Sequence, residues 1–160
     1  MRLYLNTGVV FIVLIISGCS DTEPSQPPSD QDLIQLFNNN KQVFITLKDK
    51  FSKDGFKVIS IDPEWCDPKD IPLDTKKEYY RLLKQVNIAQ IRSLEKDTVV
   101  LAVWDTGNVS GGDSKGYIYK PSTDWPREEK ESLDNMSLSG EEFYKRRIDG
   151  DWCLYYDHFL

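Results

Sequence analysis

Most of the reactive chemistry in this 160-residue chain rests on three cysteines, one histidine and a single Asp-Thr-Gly. Cys19 follows Ser17 and Gly18, small residues that leave the backbone open to a peptidase, and a thiol is the nucleophile that lipid transfer needs. Cys66 and Cys153 are the other two cysteines. His158 stands close to the chain's end, and no Gly-x-Ser-x-Gly supplies a serine for it to activate. It reads as a surface residue near a fraying end. Asp105-Thr106-Gly107 ends an apolar run. A carboxylate on such a turn can share a proton with a second one. Gly107, Gly111 and Gly112 could cradle a phosphate, but Ser114-Lys115 stands in the wrong order for a P-loop. Asp105, Asn108 and Asp113 could offer oxygens to calcium, but their spacing fits no EF-hand. The segment reads as a solvated loop, with no catalytic residue, no cofactor and no metal expected.

Two of these motifs resemble known families. Asp105-Thr106-Gly107 is similar to the catalytic tripeptide of aspartic proteases. That family follows the glycine with Ser, Thr or Ala, and Asn108 stands here instead. No second such tripeptide exists, so the dyad would need a dimer, and a polar turn is expected rather than an enzyme. At the amino end, Arg2 precedes the apolar run of residues 9–16. That run is too short for a bilayer, which needs about 20 apolar residues. It fits the h-region of an export signal, about 7–15 residues. Ile16-Ser17-Gly18-Cys19 resembles the lipobox of bacterial lipoproteins. The resemblance implies a signal peptide over 1–18, cleavage before Cys19 and acylation of Cys19. Ser20 in second position is not the aspartate that retains lipoproteins at the inner membrane. An outer-membrane anchor facing the periplasm is therefore expected. Each buried CH₂ of an acyl chain contributes about 0.8 kcal/mol, so two or three chains hold firmly.

The whole chain carries a net charge of −6, and loss of Arg2 with the signal would leave it one unit more acidic. Acidity argues against nucleic acid, which demands clustered Lys and Arg. It also argues against electrostatic binding to anionic lipid, so the bilayer would be held through acylated Cys19 alone. With Cys19 acylated, Cys66 and Cys153 remain, and two cysteines in an exported protein predict one disulfide. Two separate buried thiols are the alternative.

Residues 19–30 form the lipidated cysteine and a tether rich in Pro, Ser and acids. Extended at about 3.1 Å per residue, the tether would reach roughly 30 Å. One globular domain is expected over 31–160. It opens with a helix whose apolar stripe is Leu33, Phe37, Phe44, Leu47 and Phe51, softened at Asn38-Asn39-Asn40 and stopped at Asp54-Gly55. A short strand follows over 56–61, then an irregular segment over 62–72 that holds the Trp65-Cys66 pair. A second helix is predicted from the capping box Thr75-x-x-Glu78. Strands are expected over 88–94, 98–104 and 115–120. A long irregular stretch covers 121–140. The strands 142–148 and 151–157 close the chain around Asp149-Gly150, a strong hairpin signal. The order predicts an α+β fold, a mostly antiparallel sheet with two helices packed on one face.

Aromatic residues crowd the second half. Alternation places Trp152, Leu154 and Tyr156 on one face of the last strand and Cys153 and Tyr155 on the other, so one tyrosine is expected to be exposed. Exposed aromatics flanked by acids suit a protein or a sugar. Asp105, Asn108, Asp113, Trp125 and Tyr155 are the candidate partner-binding residues. The whole mature chain resembles small, poorly characterised bacterial lipoproteins. The features that carry this are Asp32-Leu33-Ile34, Glu78-Tyr79-Tyr80, Lys115-Gly116-Tyr117-Ile118-Tyr119 and the closing Ile148-Asp149-Gly150-Asp151-Trp152-Cys153. Some lipoproteins of this size are immunity proteins or lysozyme inhibitors. The tether, the acidic domain and the mixed polar and aromatic surface of the 105–114 loop and closing hairpin predict a binding protein without catalysis and with a protein partner; a structural envelope protein is the alternative.

Overall fold

The computed structural model describes residues 26–95, 97–106, 111–120, 128–136 and 140–159. Two helices and seven strands appear in the order α1 (Asp30–Asp54), β1 (Val58–Ser60), α2 (Leu73–Gln85), β2 (Gln90–Glu95), β3 (Thr98–Asp105), β4 (Gly112–Tyr119), β5 (Glu128–Glu129), β6 (Glu142–Asp149) and β7 (Trp152–Phe159). The strands form one sheet ordered β1-β2-β3-β4-β7-β6-β5. Every pair is antiparallel except β5 with β6, which is parallel. The fold is α+β, as the sequence predicts.

Helix α1 begins where Ser29 Oγ accepts the Asp32 N–H at 3.1 Å. It ends at Gly55, which takes the left-handed conformation (φ +68°) and donates its N–H to the Phe51 carbonyl. Asn40, with φ −126°, kinks it midway. Its stripe of Leu33, Phe37, Phe44, Leu47 and Phe51 is fully buried against Tyr117, Trp152 and Leu154 of the sheet. Helix α2 lays Tyr79, Leu82 and Leu83 into the same core. It starts three residues earlier than the Thr75 capping box predicts, with Pro72 at its N-cap and no side-chain cap bond.

The opposite face of the sheet carries a second, smaller cluster: Val100, Ile118, Phe143, Cys153 and Tyr155. Both faces of β7 are therefore covered, and Tyr155 and Tyr156 are both buried. The expectation that one of them is exposed is corrected.

The expected disulfide is absent from this structure. Cys66 and Cys153 are both buried free thiols. Cys66 packs beside β1, with its Sγ 3.5 Å from Ser60 N, in the helix-side core. Cys153 lies on β7 in the opposite cluster. Four strand spacings of about 4.8 Å separate β1 from β7, roughly 19 Å. A bridge needs Cα atoms within about 7 Å.

A buried clamp ties the start of α1 to the sheet. Lys115 Nζ, with no exposure, lies 2.8 Å from both Asp30 Oδ1 and Asp134 Oδ1. Arg146 Nη1 sits 2.8 Å from Asp30 Oδ2, which also accepts the Leu133 N–H at 2.8 Å. Burial pushes the Asp30 carboxyl up, but the Leu133 N–H, Lys115 and Arg146 together outweigh it and hold it below the ordinary range.

Candidate functional site

The segment 61–74 joins β1 to α2 and is held at almost every turn. Ile61 N–H donates to the Ala89 carbonyl at 2.9 Å. The Asp62 carboxylate accepts the Glu64 N–H at 3.0 Å and caps a short 3-10 turn, Pro63–Trp65, whose first residue is proline. Trp65 N–H then reaches the Asp62 carbonyl, and Cys66 N–H the Pro63 carbonyl. The Cys66 side chain turns inward, as does Ile71. Asp67 runs back along the free edge of β1: its carbonyl accepts from Lys57 and Val58, and its N–H donates to Val58. Lys69 Nζ donates to the Glu64 carbonyl, and Lys76 Nζ to the Lys69 carbonyl at 3.0 Å.

What this scaffold displays is Trp65, 67 % exposed, with Ile61 (46 %) before it and Leu73 (66 %) at the start of α2. Acids surround it: the segment holds Asp62, Glu64, Asp67, Asp70 and Asp74 against Lys69 alone. Lys57 approaches Asp67 at 4.0 Å, and Lys77 approaches Asp74 at 3.5 Å. Asp62, Glu64 and Asp70 make no ion pair among the described residues. An indole offers a large apolar face and one N–H donor, and holding it in place beforehand lowers the entropy lost on binding. The sequence signal was an aromatic that belongs to no apolar stripe, inside a proline-rich acidic segment.

The candidates named from sequence fall into separate places. Asn108 and Trp125, like Gly107 and Cys19, lie outside the described residues. Asp105 is exposed at the end of β3. Tyr155, expected at the surface, is fully buried: its hydroxyl lies 2.8 Å from Ser114 Oγ, its ring stacks on Phe143 at 5.5 Å, and burial pushes its pKa up to about 12. Asp113 is held by His158, Nδ1 to Oδ1 at 2.8 Å. His158 is thus part of β7 and paired, where a fraying end was expected.

The cross-strand register separates the groups that a hydrolase would unite. Asp105 pairs with Ser114 and Ser114 with Asp157, while Asp113 pairs with His158. Successive residues point to opposite faces. Ser114, Tyr155 and Asp157 therefore share the face away from the helices, and the only histidine lies on the other. Burial pushes the Asp157 carboxyl up to about 6, aided by Asp105 and Asp113 and opposed by Arg92 and His158. Arg92 Nη2 stands 4.0 Å from it. On the helix face, a cleft of about 480 Å³ is lined by Ser29, Asp134, Asn135, Met136 and Tyr156. Among the described residues no three His, Cys, Asp or Glu side chains gather as metal ligands, and no helix is long and apolar enough to cross a membrane. Comparison of the chain with family models, curated proteins and solved structures found no match.

Proposed function

We propose that the protein is a lipid-anchored binding protein of the bacterial envelope, facing the periplasm from the outer membrane. It acts without catalysis, as an immunity-type inhibitor that occupies a toxin or an envelope hydrolase. One observation carries the reading: Trp65 is two-thirds exposed within a stretch, Ile61 to Asp67, whose backbone is hydrogen-bonded on both sides of it. Folding gains nothing from leaving that much apolar area in water, at about 25 cal/mol per Å². Tryptophan is among the residues enriched at interface hot spots. The acidic mature chain adds support, because acidic inhibitors steer toward basic targets. A tether between Cys19 and the start of α1 at Asp30 fits the same reading, since a spacer serves a domain that must meet something away from its anchor.

Deletion of the gene tests it. An inhibitor's loss is expected to harm cells only while the cognate toxin or hydrolase is present, and Trp65→Ala should reproduce that loss at normal protein level. A deletion that weakens the envelope of a toxin-free strain would favour the structural alternative and retire the inhibitor.

A further inference from the structure

We infer that the segment 61–74 is the docking surface and that its occupant is a cationic protein face, with an apolar socket for Trp65 inside a rim of Lys or Arg. This rests on the binding reading and adds the surface and the partner's chemistry to it. Three features carry it together. The apolar anchor is already ordered: the 3-10 turn, the Asp62 cap and the Asp67 bonds to β1 fix the backbone on both sides of Trp65. The anchor has no apolar cover: Ile61, Trp65 and Leu73 are the largest exposures of apolar side chains on this side of the fold. The charge around it is one-sided: the segment carries five acids against Lys69 alone, and Asp62, Glu64 and Asp70 have no ion-pair partner among the described residues. An apolar centre with a rim of unpaired charge is the arrangement that couples hot-spot burial to electrostatic steering. A sugar would need convergent hydrogen-bond donors beside the ring, and an anionic membrane would be repelled by these carboxylates.

The full-length protein is titrated with an amphipathic peptide of alternating Leu and Lys blocks, and with its Leu/Glu counterpart. The cationic peptide is expected to bind and the acidic one not. Trp65→Ala should weaken binding at least tenfold, with Trp65→Phe recovering most of it. Neutralising Glu64→Gln, Asp67→Asn and Asp70→Asn together should weaken binding about tenfold and flatten its salt dependence. Neutralising three acids elsewhere, Asp49→Asn, Glu95→Gln and Glu131→Gln, should change it less than twofold. Equal losses from the two sets of three, or Trp65→Ala binding within twofold of the parent, would overturn the assignment. In cells, a photo-cross-linking residue is placed in turn at positions 65, 105 and 147. Cross-linking of a basic protein from 65 alone supports the surface. Cross-linking only from 105 or 147 overturns the surface and leaves the binding reading standing. No protein cross-linked from any of the three retires both.

Discussion

Two carboxylates titrate in opposite senses, and each sign follows from its neighbours. Asp30 is held below the ordinary range by the Leu133 N–H, Lys115 and Arg146. Its stabilisation is complete above the unfolded value and drains as pH falls below about 4. Asp157 is pushed up to about 6 by burial. Between about pH 4 and 6 the folded chain holds a proton that the unfolded chain has released, so stability falls as pH rises through that window. Asp157→Asn removes that deficit. It is expected to raise stability by about 1–3 kcal/mol at pH 7 and by little at pH 4, read from urea melts at both values. Lys115→Met tests the clamp. Asp30 and Asp134 would lose the cation between them, at a loss of about 3–5 kcal/mol. Adding Asp30→Asn to it should recover part of that loss, because the stranded charge goes too. Neither residue announced this role in the sequence. Asp30 reads as the last residue of the tether and Lys115 as a strand residue, and the contact between them depends on the register of β4 under α1.

Elements were legible where local physics decides them. The alternating strands around Asp149-Gly150 form β6 and β7, with Gly150 at φ +54° as the turn needs. The stripe of α1 and its stop at Gly55 also follow from local pattern. The start of α2 was misread, because Thr75-x-x-Glu78 fits a capping box but Leu73 and Asp74 already continue the helix from Pro72. The irregular stretch before Gly140 contains β5, a two-residue strand paired in parallel with β6, and Leu133, which is buried in the core. No periodicity marks a strand that short. One glycine is fixed by its element rather than by a turn. Gly116 sits mid-strand in β4, and a Cβ there would lie 2.1 Å from the Leu101 carbonyl oxygen and 3.1 Å from Ala102 Cα. Both atoms belong to backbone paired in β3, so neither can move without breaking the ladder beside the β3 bulge. Gly116→Ala is expected to destabilise by about 3 kcal/mol or more, seen as a large drop in melting temperature, while Gly140→Ala, with open space around it, should be neutral within about 0.5 kcal/mol.

At the scale of the whole molecule, the proposed function needs a fixed address, and the address lies in residues the sequence alone describes. Arg2, the apolar run 9–16, Ser17-Gly18 and Cys19 stand in the order that export and lipid transfer require. The chain is acidic overall, and no described helix is long and apolar enough to cross a membrane. If lipid holds the protein, Cys19→Ser must release it. The parent chain is expected to fractionate with the outer membrane and to show a mass that begins at Cys19 and includes acyl chains. Cys19→Ser should retain residues 1–18, or appear as soluble protein, with the domain's circular dichroism unchanged. The other two thiols give an internal control. Cys66 and Cys153 are buried free thiols in separate core clusters, so Cys66→Ala should leave fractionation and processing intact. Normal mass and outer-membrane fractionation of Cys19→Ser would mean that the domain reaches the envelope by another contact, and the tether's role in presenting Trp65 would fall with the anchor.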